Sequence, residues 1–141
     1  MFIKQLSVFL ENKEGRLDEV LKTLSQGGID LLSASLADTT EFGVLRLISK
    51  EPERARDLLK SAGITARIDE VIAVVVPDAV GSLQKVICKL HEAGINIGYI
   101  YGLSVDGEGA PIAIKTNDPA KAAEILEKEN VKTLSSEELG Q

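Results

Sequence analysis

Cys88 and His91 are the only cysteine and the only histidine in the chain, and they stand three apart in a helical pattern. That spacing suits a shared metal, but a zinc or copper site needs further thiolate or imidazole ligands, and no other position supplies them. Cys88 falls near an apolar stripe and reads as a small core residue, while His91 reads as an exposed residue near a helix end. A histidine acting as general base needs a nucleophile and an orienting partner, and the sequence offers His91 neither. No catalytic residue and no metal ligand is assigned, and the chemistry that remains is that of binding. Leu10-Glu11-Asn12-Lys13-Glu14-Gly15-Arg16-Leu17 and Val76-Pro77-Asp78-Ala79-Val80-Gly81-Ser82-Leu83 each run from polar residues through a glycine into the first turn of a helix. The first turn has backbone N–H groups without internal partners, which together with the helix dipole can hold a carboxylate. Asn12 and Asp78, at matching positions, add an acceptor for an ammonium or, from Asn12, a donor. The same residue types also cap helices, and the sequence does not choose between these readings. A second candidate pair, Asp30 and Asn96, follows Gly28-Ile29 and Gly94-Ile95. A small polar residue there either points away from the core or serves as a turn residue after the glycine.

The candidates come in pairs because the chain nearly repeats itself at an offset of about 66 residues. Val20 falls on Val86, Leu24 on Leu90, and Gly28-Ile29-Asp30-Leu31 on Gly94-Ile95-Asn96-Ile97; after a one-residue insertion, Pro52 falls on Pro119 and Leu58-Leu59 on Ile125-Leu126. Each copy reads strand, helix, strand, strand, helix, strand. Alternating Leu6, Val8 and Leu10 predict the first strand, and Leu17, Val20, Leu21 and Leu24 predict a helix burying one face. Strands follow at 29–38 and 42–49, joined by a turn at Thr39-Thr40-Glu41, where the second copy has the hairpin signal Asp106-Gly107. Pro52 and Pro119 open the second helices, with Asn117-Asp118 as cap candidates, and strands at 65–68 and 131–134 close each copy. Only Asp69-Glu70 interrupts the apolar run from Ile64 to Val76. Ser135 to Leu139 reads as a capped helical turn. The order βαββαβ implies an α+β fold, two ferredoxin-like domains at 1–69 and 70–141, each an antiparallel sheet with helices on one face. A domain this small buries only about 60% of its unfolded surface, so the halves are expected to pack on each other and the chain to form a homodimer.

Composition narrows the function classes. Asp and Glu outnumber Lys and Arg by 22 to 16, and there are three Phe, two Tyr and no Trp. An RNA-recognition domain of this topology needs aromatic strands and a basic surface, so no nucleic-acid partner is expected. No segment approaches 18 apolar residues, and no leader pattern opens the chain, so no membrane partner and a cytoplasmic location are expected. Gly107-Glu108-Gly109 sits between strands rather than after one and before a helix, so no phosphate-binding loop and no cofactor are expected.

The loop Asp/Asn-x-x-Gly-x-Leu, here Asn12 to Leu17 and Asp78 to Leu83, resembles that of the ACT domain, a βαββαβ regulatory module that binds amino acids in enzymes of amino-acid metabolism. Gly94-Ile95-Asn96-Ile97 is similar to the family's segment after the first helix. Ala37-Asp38-Thr39, Phe42 to Leu47, Asn96 to Tyr101 and the tail Leu134 to Leu139 resemble small proteins made of two tandem ACT domains. The similarity spans almost the entire chain. One departure is Glu14 and Val80 where the family often has Pro before the loop glycine, which leaves each loop an extra N–H. The resemblance implies a ligand at a seam, one domain's strand–helix loop facing another's second-strand start. It would involve Asn12, Lys13, Gly15, Arg16 and Leu17 with Asn96 and Ile97, and Asp78, Val80, Gly81 and Ser82 with Asp30 and Leu31. The copies differ at Lys13 and Arg16 against Ala79 and Ser82, and at Ser33 and Ser35 against Tyr99 and Tyr101, so one seam is expected to bind better. The tyrosines share a strand face and suit either packing or a ligand ring. Arg46 is read as solvated. The function implied is a regulatory protein that binds a free amino acid and acts on an enzyme of amino-acid metabolism. The alternative is a ligand-free regulatory subunit that uses an open sheet face for assembly. An enzyme is a minor third reading without the reactive cluster it needs.

Overall fold

Period-two alternation in Leu6-Ser7-Val8 and in Ile72-Ala73-Val74 sends one set of side chains to each core and builds the inner strands. The computed structural model describes residues 2–38 and 41–141, so Thr39 and Thr40 of the expected turn lie outside the described residues. The elements are β1 (Phe2–Glu11), α1 (Arg16–Gln26), β2 (Leu31–Asp38), β3 (Phe42–Ser49), α2 (Pro52–Ser61), β4 (Ala66–Val76), α3 (Ser82–Glu92), β5 (Ile97–Gly102), β6 (Ala110–Thr116), α4 (Pro119–Lys128) and β7 (Lys132–Leu134). Two compact units result. The first is Lys4–Asp69 with Gly140–Gln141; the second is Glu70–Leu139, joined by the chain start through Ile3.

In the first unit β3 lies between β1 and β2, with Leu6 opposite Leu47 and Val8 opposite Leu45. The amide of Phe9 donates to Thr65 O at 3.1 Å, just ahead of β4. In the second unit β6 lies between β5 and β4, and β7 pairs with the other edge of β4. There Ile72 faces Ile114 and Val74 faces Ile112, the same registers carried along by the repeat. Val20 and Leu24 of α1 with Ala55 and Leu59 of α2 close the first core; Val86, Leu90, Ala122 and Leu126 close the second. Both units are ferredoxin-like, with antiparallel strands and helices on one sheet face.

Three expectations need correction. β2 starts at Leu31 rather than at 29, because Ile29 completes the end of α1: its N–H bonds Leu24 O at 3.0 Å and its side chain is buried. The strand expected at 65–68 does not stop at Asp69-Glu70 but continues to Val76 as one strand, β4. Asp69 is tolerated there because it accepts from the Ser7 hydroxyl at 2.8 Å and pairs with Arg67 at 3.2 Å. Asp106-Gly107 is not a two-residue turn, since the strands stop at Gly102 and resume at Ala110.

Candidate functional site

The two strand–helix loops have the same backbone. Gly15 and Gly81 are the residues before α1 and α3, with φ of 81° and 84°. A Cβ on either would meet nothing within 4 Å, so glycine is required by the dihedral and not by crowding. The internal hydrogen bonds also match. Lys13 N–H to Glu11 O and Ala79 N–H to Pro77 O are both 2.8 Å, while Arg16 N–H to Lys13 O is 3.3 Å and Ser82 N–H to Ala79 O is 3.2 Å. Beyond these, the amides of Leu17 and Asp18, and of Leu83 and Gln84, make no backbone hydrogen bond outside their helices among the described residues. Asn12 and Asp78 are exposed, and the N-cap residues of α1 and α3 are Gly15 and Gly81, which have no side-chain cap bond, and this overturns the capping reading.

The other expected contacts are placed less evenly. Lys13 is exposed and so is Val80, fully. Leu17, Leu31 and Ile97 are half-buried, packed against their own cores. Arg16 is engaged locally, 3.0 Å from Glu19 and 3.7 Å from Glu11, whereas Ser82 in the other copy carries no charge. Asp30 and Asn96 are exposed just ahead of β2 and β5. Asn96 is clamped: its N–H donates to Asn117 Oδ1 at 3.0 Å and its carbonyl accepts from Asn117 N–H at 3.2 Å. Asp118, not Asn117, therefore caps α4, accepting from Lys121 N–H at 3.1 Å. Within a unit, the loop and the strand start stand at opposite ends of an 11-residue helix, about 16 Å apart along its axis. One unit does not bring them to a common point.

Other candidates resolve into local partners. Tyr99 and Tyr101 stack on each other with centroids 6.3 Å apart and planes at 25°. Arg46 is half-buried opposite Ser7 and Ser35 instead of solvated. Cys88 is half-buried outside the core cluster, its thiol 3.6 Å from Glu92 Oε1, which corrects its assignment as a core residue; His91 is exposed as expected.

Each unit also has a cleft, formed by the end of its first strand, its first helix and the turn after its second helix. In the second unit the cleft measures about 510 Å³ and is lined by Val75, Val76, Asp78, Val86, Glu108 and Lys132 among others. Its counterpart in the first unit is about 200 Å³ and is lined by Leu10, Val20 and the mutually paired Glu11, Arg16 and Glu19. Sequence reasoning missed both clefts, because their walls come from segments far apart in the chain. The repeat did place Val86 on Val20.

The model of the ACT domain pair family matches residues 1–141. Protein BT0572 of Bacteroides thetaiotaomicron superposes with a TM-score of 0.91 at 34% identity, covering 100% of this chain and 97% of that one. The ligand-free regulatory subunit of aspartate kinase from Thermus thermophilus has a TM-score of 0.59 at 15% identity, covering 89% and 91% of the two chains. The corresponding subunit from Thermus flavus gives 0.59 at 16% identity, covering 89% and 90%; these two likenesses are of fold. No curated protein matches the sequence. With a duplicated βαββαβ unit, a duplicated glycine loop and a family match along its whole length, the chain belongs to the ACT domain pair family.

Proposed function

We propose that this protein is a regulatory module that binds a free amino acid and acts on a partner enzyme of amino-acid metabolism. The observation that carries the reading is the pair of loops at Asn12–Leu17 and Asp78–Leu83. Their hydrogen bonds correspond one for one, and each leaves first-turn amides open to an anion. The regulatory subunits of aspartate kinase with the same fold support a regulatory role. Among the described residues there is no cluster of three His, Cys, Asp or Glu side chains that could hold a metal. The ligand's carboxylate meets the loop amides of one ACT domain, at Asn12, Lys13, Gly15 and Arg16 or at Asp78, Val80, Gly81 and Ser82. The start of a second strand from another ACT domain, at Asn96 and Ile97 or Asp30 and Leu31, completes the contact. A second domain is needed because a unit keeps its own loop and strand start at opposite ends of a helix. A ligand held by two domains favours one arrangement of them over others, and that differential contact is what regulation requires.

A thermal-shift screen against the twenty amino acids tests this. Ligand at about 100 times its Kd stabilises the folded state by about 2.7 kcal/mol, a rise of several degrees for a chain of this size. The expected result is a selective hit that Asn12→Ala or Asn96→Ala weakens. No shift from any amino acid would overturn the reading and leave an interaction subunit as the function to pursue.

A further inference from the structure

Each unit covers one face of its sheet with helices, and the repeat allows the opposite faces to be compared residue by residue. In the second unit Val75 alternates with the core residues Val74 and Val76, and its cross-strand partners are Pro111 of β6 and Lys132 of β7. Leu134 stands two residues beyond Lys132, so these four share the face away from the helices. The connection between β5 and β6 folds over them. Its residues 105–108 close against all four around a cavity of only about 50 Å³. Gly109 seats the connection, because a Cβ there would lie 2.8 Å from Val76 O and 2.9 Å from Val75 Cγ1.

In the first unit the repeat puts Phe9, Val44, Thr65 and Arg67 at the same four positions. Phe9 pairs with Val44, and Phe42, two residues before Val44, shares their face. Three residues join β2 to β3, where seven join β5 to β6. Phe9 is 39% exposed and Phe42 56%, with Thr65 and Arg67 also exposed. The Arg67 guanidinium lies 5.3 Å from the centre of the Phe9 ring, and Asp69 holds it there at 3.2 Å. Two neighbouring aromatic rings in solvent, with a cation fixed over one of them, form a patch of the kind that marks a contact with another molecule.

The second unit shows what chemistry covers this position. Its covering segment carries a branched aliphatic residue, Val105, followed by the carboxylates of Asp106 and Glu108, and Lys132 is the cation that borders the same small cavity. The first unit has the receiving half of that arrangement, rings and a cation. We infer that the face centred on Phe9 and Phe42 is a docking surface for a partner protein, and that the partner presents an exposed segment with a branched aliphatic residue beside carboxylates. The aliphatic side chain lies on the two rings and a carboxylate meets Arg67 at their edge. This inference rests on the reading that the chain acts on a partner, and it uses none of the loop or strand-start residues assigned to the amino acid.

The probe is a synthetic peptide of residues 103–111, added to the full chain and followed by amide NMR shifts, with a second peptide carrying Asp106→Asn and Glu108→Gln. The first peptide is expected to shift Phe9, Phe42, Val44 and Arg67, and the uncharged one to bind about tenfold weaker. Phe42→Ser, at an exposed position, should weaken binding about tenfold or more while leaving the Tm of the free protein unchanged. Arg67→Gln should erase the difference between the two peptides. Absence of shifts on this face, or equal binding of both peptides to the native chain, overturns the inference. Shifts confined to Val75, Pro111 and Leu134 overturn it as well, because the probe would then only be replacing the native connection. Sedimentation of the free chain separates a partner from a second copy: a dimer that Phe42→Ser turns into a monomer would assign the face to self-association and overturn the proposal. A failed amino-acid screen leaves the peptide result standing, so the two readings fail independently.

Discussion

Glu138 sits below the ordinary carboxylate value of 4.5, first because it accepts the Ser135 backbone N–H at 2.7 Å and second because the Ser135 hydroxyl also bonds it. The Glu138 amide in turn donates to Ser135 Oγ at 3.2 Å, so the two residues form a reciprocal cap. Glu53 is lowered in the same direction, chiefly by its hydrogen bond to Lys4. A carboxyl group depressed in the folded state contributes stability above its unfolded pKa, and that contribution is lost as pH falls through the folded value. Both groups therefore predict stability that declines on acidification below about pH 4.5. An NMR titration should find Glu138 below that value, and Ser135→Ala should raise it only in part, because the backbone N–H remains. An ordinary pKa in the native protein would remove this account of the tail. Ser135-Ser136-Glu137-Glu138 announced the cap from sequence, since both partners lie within one turn. Asp118 was legible for the same reason. The ion pairing of Arg16 was not, because three side chains choose among partners only after β1 and α1 have been set beside each other.

The four helices end alike. The residue after the last turn takes a positive φ, at Gly28, Gly63, Gly94 and Asn130. The next amide then reaches back to the helix, as Ile29 to Leu24, Ile64 to Leu59, Ile95 to Leu90 and Val131 to Leu126, all within 2.9–3.0 Å. Each unit adds a cation from its second helix to the end of its first. Arg54 donates to Gly27 O at 2.6 Å, and Lys121 Nζ donates to Ala93 O at 2.8 Å. A positive charge on the carbonyl end of a helix contributes about 0.3–1 kcal/mol. Lys121→Met should therefore cost about that much in urea unfolding, Lys121→Arg should restore most of it, and high salt should shrink the difference. Equal stability of the Met variant and the native chain at low salt would show that the contact contributes nothing. The prolines and glycines made these helices legible, because each admits few backbone conformations. The strand boundaries were harder. Asp69-Glu70 looks like a break until Ser7 of β1 and the neighbouring Arg67 supply partners for Asp69, and Asp106-Gly107 signals a tight turn that a longer connection does not use.

Each unit is completed by a segment from the far end of the sequence, which a repeat read as two consecutive blocks does not anticipate. Phe2 packs against the second unit's core although the rest of that unit begins at Glu70. Gln141 belongs to the first unit, accepting from Lys4 N–H at 2.8 Å and donating to Lys4 O at 2.7 Å and Ser49 O at 3.0 Å. The alignment of copies is blind to this, because Phe2 and Gln141 have no periodic signal and their partners are set by where β1 and the final turn run. The consequence can be separated by unit. Phe2→Ala removes half-buried aromatic surface and should cost about 2 kcal/mol. Its effect on hydrogen exchange should be strongest at Ile72, Val74 and Ile114, in the core that Phe2 touches. Gln141→Ala should cost about 1–2 kcal/mol through its lost hydrogen bonds, with the greatest loss of protection around Lys4 and Ser49. If Phe2→Ala instead loosened the Leu6, Leu45 and Leu47 core more than the Ile72 and Ile114 core, the assignment of the chain start to the second unit would be wrong. Equal loss of protection in both cores would have a different meaning: the units unfold only together, and the exchange pattern reports one cooperative molecule rather than two.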